Sequence, residues 1–370
     1  MSNFKSLGIP ADLIKSLDEM GIHKPTPVQA QSIPYLLEKG HDFVGQAQTG
    51  TGKTAAFGLP LLTKVSGDKK HIQALILSPT RELAKQIGKA LFKFTKYADE
   101  KTFVEVVAGG DKIDLQISRL QRPTQIVVAT PGRLFDLLKR KALSIDHVQY
   151  LILDEADEML SMGFKQQIRS AIELTANRKA TWLFSATFPP VLKELVKGCM
   201  APEPKTVKID STRVVNRDID HRYAICVKED KTDFISDFLE RQGEKRGLIF
   251  CRTKDGCSIL GKQLAKRDFS VDVLQGDLTQ PERDKVMRAF KKERTQFLIA
   301  TDVAARGIDV EGLSFVVHHQ LPEQVEMYTH RSGRTARAGK KGMSLVLIDP
   351  REQKRLEAIS RELGVHFGPA

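Results

Sequence analysis

Long apolar runs are missing from this 370-residue chain. None approaches the ~20 residues that a membrane-spanning helix needs, which removes that class of protein. The opening "MSNFKSLGIP" has neither the charged head nor the apolar core of a secretory signal. Cysteine is sparse: Cys199, Cys226, Cys251 and Cys257 show no CxxC spacing and no histidine at metal-ligand intervals. That excludes a zinc module and fits a reduced, cytoplasmic setting with thiols used for packing. No basic amphipathic helix stands out to favour a membrane surface. Aromatic residues make up only 6% of the chain, with one Trp. What is abundant is positive charge. Lys and Arg number 58 against 46 Asp and Glu, a formal net charge of +12 that favours a polyanionic partner. Hydrophobic residues at 41% and charged residues at 28% describe a globular protein, and the length suggests two domains.

Short β-rich apolar runs alternate with longer helical patterns. The first part of the chain has "DFVGQA", "ALILSPT", "FVEVVAGG", "QIVVATPG", "YLILDEAD" and "TWLFSAT". The second has "GLIFCRT", "VDVLQGD", "QFLIATD", "SFVVHHQ" and "SLVLID". Such runs, buried on both faces and separated by helical stretches, predict parallel sheets covered by helices on each side. The polar segment "KIDSTRVVNRD" breaks the rhythm. The expected organisation is α/β, with domains over 1–207 and 218–370 and a linker over 208–217. An internal echo suggests duplication, since "LILSPT" resembles "LIFCRT" and "IVVATPGR" resembles "FLIATDVAARG".

"AQTGTGKT" (47–54) follows the first strand and opens a helix. Gly50 and Gly52 allow backbone N–H groups, with those of Thr49 and Thr51, to converge on phosphate oxygens. The helix N-terminus adds partial positive charge. Lys53 can bridge the outer phosphates, and the Thr54 hydroxyl can ligate Mg²⁺. Ala47 stands where the usual pattern has its first Gly. A plain Gly-rich turn is the bland alternative, and the strand–loop–helix context argues against it.

"YLILDEADEML" (150–160) then ends an apolar run in Asp154, Glu155, Asp157 and Glu158. Clustered like charges call for a cation. Asp154, at the strand end, is placed to hold Mg²⁺, directly or through water. Glu155 is free to orient and deprotonate an attacking water. Asp157 can accept hydrogen bonds from another segment, and Glu158 reads as a solvated helix-face charge.

"HRSGRTARAG" (330–339) spaces Arg331, Arg334 and Arg337 three apart, near one face of a helical turn. Gly333 and Gly339 disfavour a plain surface helix. If the second domain closes on the first, Arg334 and Arg337 reach the terminal phosphate as arginine fingers, typically worth about 10³–10⁵ in rate. "ATDVAARGID" (300–309) is expected along the same cleft, with Gly307 and Asp309 near a ribose hydroxyl.

Together these residues resemble the DEAD-box ATP-dependent RNA helicases of helicase superfamily 2, along nearly the whole chain, with the box itself at 154–157. The resemblance implies two tandem RecA-like domains with ATP and Mg²⁺ as cofactors. "GIHKPTPVQ" (21–29), with upstream Phe4, resembles the adenine-reading segment. Gln29 would bond the base edge and Lys24 would lie in the same site. Ile22 replaces the usual stacking aromatic. "SAT" resembles the coupling segment, in which Ser185 and Thr187 would bond Asp157 and the opposing His330, with Arg331 in the same group.

The resemblance places RNA contacts in both halves. In the first they are Pro79, Thr80, Arg81, Gly110, Thr130, Gly132 and Arg133. In the second they are Thr253, Gly276, Asp277 and Thr301. Arg cations, Thr hydroxyls and exposed N–H groups suit phosphates, and few aromatics are available for base stacking. The expected binding is therefore sequence-independent, with RNA preferred through its 2′-hydroxyls. The implied activity is RNA-stimulated ATP hydrolysis coupled to local unwinding or remodelling of RNA duplexes and RNA–protein complexes. An ATP-gated RNA clamp used as an assembly platform is the alternative. A DNA-translocating motor on the same core would need contacts that ignore the sugar. No basic low-complexity tail is seen, so either specificity is low or protein partners or missing residues provide it, and a monomer is expected.

Overall fold

The computed structural model describes residues 3–38, 41–48, 50–209, 218–305, 313–336 and 340–370. It divides into two compact units, Met1–Ile209 and Asp210–Ala370. The first contains β1 (Phe43–Gln46), β2 (Ala74–Leu77), β3 (Val104–Val107), β4 (Ile126–Ala129), β5 (Tyr150–Asp154), β6 (Ala180–Ser185) and β7 (Lys205–Lys208). The second contains β8 (Ile219–Ile225), β9 (Gly247–Phe250), β10 (Val271–Leu274), β11 (Phe297–Ala300), β12 (Phe315–His318), β13 (Gly342–Ile348) and β14 (Gly368–Pro369).

Every apolar run singled out in the sequence forms a strand. The first sheet has the order β3-β4-β2-β5-β6-β1-β7, and the second β10-β11-β9-β12-β13-β8-β14. All pairings are parallel. Advancing each strand of the first sheet by seven gives the second, so one topology occurs twice. The sequence echoes fall on equivalent strands: β2 matches β9, and β4 matches β11.

The strands that lacked a sequence signal are β7, β8 and β14. β7 lies at a sheet edge with one buried residue, Val207. β8 is flanked on one side only by the two-residue β14, and its "IDHRYAI" mixes buried with exposed positions. Neither needs to be apolar, so neither announces itself. Ile209 donates its N–H to the Gln46 carbonyl at 3.0 Å and packs on the core. Residues 210–217 of the expected linker lie outside the described residues.

Side chains alternate across each strand, and each sheet therefore has two cores. In the first unit Phe43, Ile76, Ile152 and Trp182 face one cluster while Val44, Leu77, Leu153 and Leu183 face another. Helices Lys53–Lys64 and Arg81–Phe94 cover the first face; Pro131–Lys139 and Lys165–Leu174 cover the second. The second unit repeats this, with Ile249, Ile299 and Val317 on one side and Leu248, Leu298 and Val316 on the other. Parallel strands with both faces covered leave the C-terminal rims as the natural place for ligands.

Candidate active site

On the rim of the first sheet, β5, β6 and β1 are neighbours. Their ends bring the phosphate loop, the DEAD residues and Ser185 side by side. Helix Lys53–Lys64 starts from Gly52, which has φ +90°. A Cβ there would stand 2.3 Å from Gln29 Nε2, so only glycine fits. Ala47 is tolerated for the opposite reason. Its N–H donates to the Ser185 carbonyl at 2.9 Å, continuing the sheet, and it is absent from the residues with positive φ. Its carbonyl accepts from Lys53 Nζ at 3.0 Å, and Lys53 is buried. The Thr51 hydroxyl donates to the Gln48 carbonyl at 2.7 Å, and Thr54 sits half-buried in the first turn of the helix.

Gln29 is buried, and its amide spans two elements. Its oxygen accepts the Thr26 N–H at 2.9 Å, and Nε2 donates to the Gly52 carbonyl at 3.0 Å. The segment expected to read a base thus also braces the phosphate loop. Phe4 packs inside the apolar core, and Lys24 is exposed.

Asp154 is 2% exposed and closes β5. Burial pushes its carboxyl up to about 7. Lys53 and the Glu155 N–H oppose that rise, and the Glu155 and Asp157 charges add to it. Glu155 holds a left-handed backbone, φ 50° and ψ 53°, at the turn into the next helix. Such a conformation costs a non-glycine residue about 1 kcal/mol or more and is concentrated at functional turns.

Asp157 joins the box to β6. Its Oδ2 accepts both the N–H and the hydroxyl of Thr187, each at 2.8 Å. The Asp157 N–H donates to Ser185 Oγ at 3.2 Å, and that hydroxyl donates to the Thr187 carbonyl at 2.8 Å. The expectation that Glu158 is a solvated charge is wrong. Glu158 is buried, with its N–H on Asp157 Oδ1 at 3.0 Å, because this short helix lies with that side against the protein.

The other half of the rim, β3-β4-β2, carries a second group. The Thr80 hydroxyl caps helix Arg81–Phe94 by accepting the Leu83 N–H at 3.2 Å. Arg81 Nη2 donates to Asp111 Oδ1 at 2.6 Å, and Lys85 reaches the same carboxylate at 3.2 Å. Arg133 Nη1 donates to the Asp111 carbonyl at 3.1 Å and to Gln116 at 2.8 Å. Gly110, at φ +87°, and Gly132 are exposed beside them; Pro79 is buried beneath, and Thr130 leads into the helix that carries Arg133. Asp111 was not singled out in the sequence. Only its place after the glycine pair could have signalled it.

The second unit repeats the device on β10, β11 and β9. The Thr253 hydroxyl accepts the Gly256 N–H at 3.0 Å, capping helix Lys254–Ala265. Lys254 pairs with Asp277 across Gly276, where a Cβ would touch the lysine at 3.1 Å. Buried Thr301, on the neighbouring strand end, accepts the Ala304 N–H at 3.4 Å.

The arginine run departs from its expected geometry. Helix Val325–Ser332 stops at Gly333, so Arg331 lies on its last turn while Arg334 is half-buried in the turn beyond. Arg331 is buried and grips Asp302 with two bonds, 2.5 and 2.6 Å, under the ring of Phe250. One face of a continuous helix cannot hold both arginines, because the chain turns after Ser332. His330 is half-buried on that last turn. Thr49, Gly307, Asp309 and Arg337 lie outside the described residues.

With this geometry in view, two family descriptions match: DEAD/DEAH box helicase over residues 26–195 and Helicase conserved C-terminal domain over 230–339. The chain is 40% identical to the DEAD-box ATP-dependent RNA helicase CshA of Bacillus cereus, over 98% of this chain and 68% of that protein. It belongs to the DEAD-box ATP-dependent RNA helicases. These are RNA-dependent ATPases, and the two parallel sheets are their tandem RecA-like domains. CshA of Bacillus anthracis is equally similar to this helicase, 40% identical over 98% of the chain and 68% of the relative. The structure of S. cerevisiae Dbp5 bound to RNA and ADP BeF3 superposes with a TM-score of 0.92 at 31% identity, covering 100% of this chain and 96% of that one. Mss116p bound to ssRNA and AMP-PNP gives 0.87 at 28% identity, covering 100% and 80%. Among the described residues no helix is long and apolar enough to cross a membrane.

Proposed function

We propose that this helicase binds ATP with Mg²⁺ on the β5-β6-β1 rim and RNA on the paired strand-end loops. Turnover is coupled to local separation of RNA strands and to remodelling of RNA–protein complexes. The observation that carries this reading is the tie from Asp157 to Ser185 and Thr187. It makes the nucleotide-facing box and the end of β6 one hydrogen-bonded body, so a shift at one moves the other. Thr54 and Asp154 supply the hard oxygen donors that Mg²⁺ prefers, and a buried carboxyl raised to about 7 is one that a cation would relieve. The ion would screen the phosphates and polarise the terminal one.

Gly50, Thr51 and Gly52 present N–H groups to the phosphates, with Thr49 in the same loop. Lys53 steadies the outer phosphates, and Gln29 reads the base with Phe4 and Lys24 in support. Glu155 takes the proton of the attacking water. Arg334 and Arg337 act as the arginine fingers, Gly307 and Asp309 meet the ribose, and His330 and Arg331 transmit closure. Pro79, Thr80, Arg81, Gly110, Thr130, Gly132 and Arg133 hold RNA phosphates in the first unit. Thr253, Gly276, Asp277 and Thr301 do so in the second. The protein works as a cytoplasmic monomer that binds RNA independently of sequence, any selectivity among RNAs coming from protein partners.

Glu155→Gln tests the assignment. It is expected to keep ATP-dependent RNA retention while turnover drops by about 10²–10⁴-fold. Normal turnover in that variant removes Glu155 as the base.

A further inference from the structure

At the opposite end of the first sheet from the phosphate loop, the segments leading into β2, β4 and β5 surround a cavity of about 210 Å³. Lys70 and His71 come from the first segment, Arg122 from the second and His147 from the third. The imidazoles of His71 and His147 lie with centroids 4.6 Å apart, tilted by 45°. Among the described residues that line the cavity none is a carboxylate. Among the described residues, none of these four side chains makes a hydrogen bond or ion pair. The two hydroxyls at the cavity are already committed: Thr124 donates to the Arg122 carbonyl at 3.1 Å and Ser144 to Asp146 at 2.5 Å.

Lys70, Arg122 and two imidazoles, gathered from three loops and only partly offset by Glu105 near Arg122, make a basic pocket whose potential favours an anion. We infer that this cavity is a second ligand site that binds a phosphate monoester, held by Lys70, Arg122 and the paired imidazoles of His71 and His147. A monoester carries nearly two charges and three strong acceptor oxygens, which matches this donor set better than the single charge of a backbone diester. The histidines suit the task. Burial, with His147 and Lys69 nearby, keeps the His71 imidazole below its ordinary range, so the empty cavity is spared part of the repulsion. An arriving dianion reverses that balance and draws a proton onto the ring. Asp146, the adjacent carboxylate, is turned to Ser144, and Glu105, 3.6 Å from Arg119, feels that arginine more than it feels Arg122. The same chemistry is offered by the phosphorylated end of an RNA and by a small phosphorylated molecule. None of these residues belongs to the ATP or RNA surfaces described above.

The test follows the His71 and His147 imidazole resonances of this 370-residue chain while inorganic phosphate is added. Both are expected to shift together and saturably. Arg122→Ala, an exposed change, is expected to weaken the response roughly ten-fold or more while RNA-stimulated ATPase stays at the parental level. Short RNAs with a 5′-phosphate or a 5′-hydroxyl then separate the sources. A shift favouring the phosphorylated RNA assigns the site to RNA ends. Equal responses to the two RNAs, beside a clear response to phosphate, assign it to a small phosphorylated ligand. Static imidazole resonances, or an Arg122→Ala protein that responds like the parent, overturn the inference.

Discussion

A carboxylate with 2% exposure, such as Asp154, is placed where charge is expensive. Its pKa rises from 3.8 to about 7, so the folded protein holds this proton across a range in which the unfolded chain has released it. Above pH 7 the folded state carries a buried charge that the unfolded chain solvates freely. Linkage therefore makes this residue destabilising as pH climbs from 4 toward 7, by at most roughly 4 kcal/mol once fully ionised. Asp154→Asn is expected to raise the melting temperature of nucleotide-free protein at pH 8, and by less than half as much at pH 5, while Mg²⁺-dependent ATP binding is lost. Calorimetry at the two pH values checks it. An equal change at both would mean that desolvation is not the source. The instability is the local condition for tight cation binding, since a fully solvated Asp154 would gain less from the ion.

Helix caps and strand ends form the next scale. Thr80 and Thr253 occupy equivalent places after β2 and β9. Each closes a helix N-terminus with its own hydroxyl. Beside each, a cation reaches a carboxylate on the adjoining loop, Arg81 to Asp111 and Lys254 to Asp277. The repeated topology holds a cation-bearing helix N-terminus against a carboxylate-bearing loop in both units, and such a helix end suits phosphate. Thr80→Ala and Thr253→Ala are each expected to cost about 1 kcal/mol in denaturant unfolding. Each should also raise the KM for RNA in the ATPase assay without changing the KM for ATP. An unchanged KM for RNA would take that loop off the RNA surface. The arginine run belongs to this scale too. Spacing by three suggested a common face, but Gly333 ends the helix between Arg331 and Arg334, leaving one buried on Asp302 and the other in the turn.

For the whole molecule the dominant quantity is the net charge of +12. With aromatics at 6%, affinity for RNA is expected to come mostly from phosphates and counterion release, not stacking. If about six phosphates are neutralised, log affinity falls with log salt at a slope of about −4 for a single strand. Arg81→Ala is expected to flatten that slope by about 0.7, with no change in sequence preference. Filter binding across a salt series measures both. A slope near zero would put the binding energy into base contacts, which the composition does not provide.

The chain's own pattern determined the parallel α/β plan, its repeat, the strand–loop–helix at 47–54 despite Ala47, and the carboxylates that close β5. Each of these is local: an apolar run, a glycine where φ must be positive, a charge at a strand end. Distance along the chain hid the rest. Asp111 as the hub for Arg81 and Arg133, the hold of Gln29 on Gly52, and the burial of Glu158 all depend on which segments the sheet order brings together. The polar β8 and the short β14 were equally silent, because partly exposed pairing leaves little hydrophobic trace. Only the tertiary structure could gather Lys70, His71, Arg122 and His147 around one cavity. Parallel strands put all their starts on one rim, and no spacing rule in a sequence records which starts are neighbours.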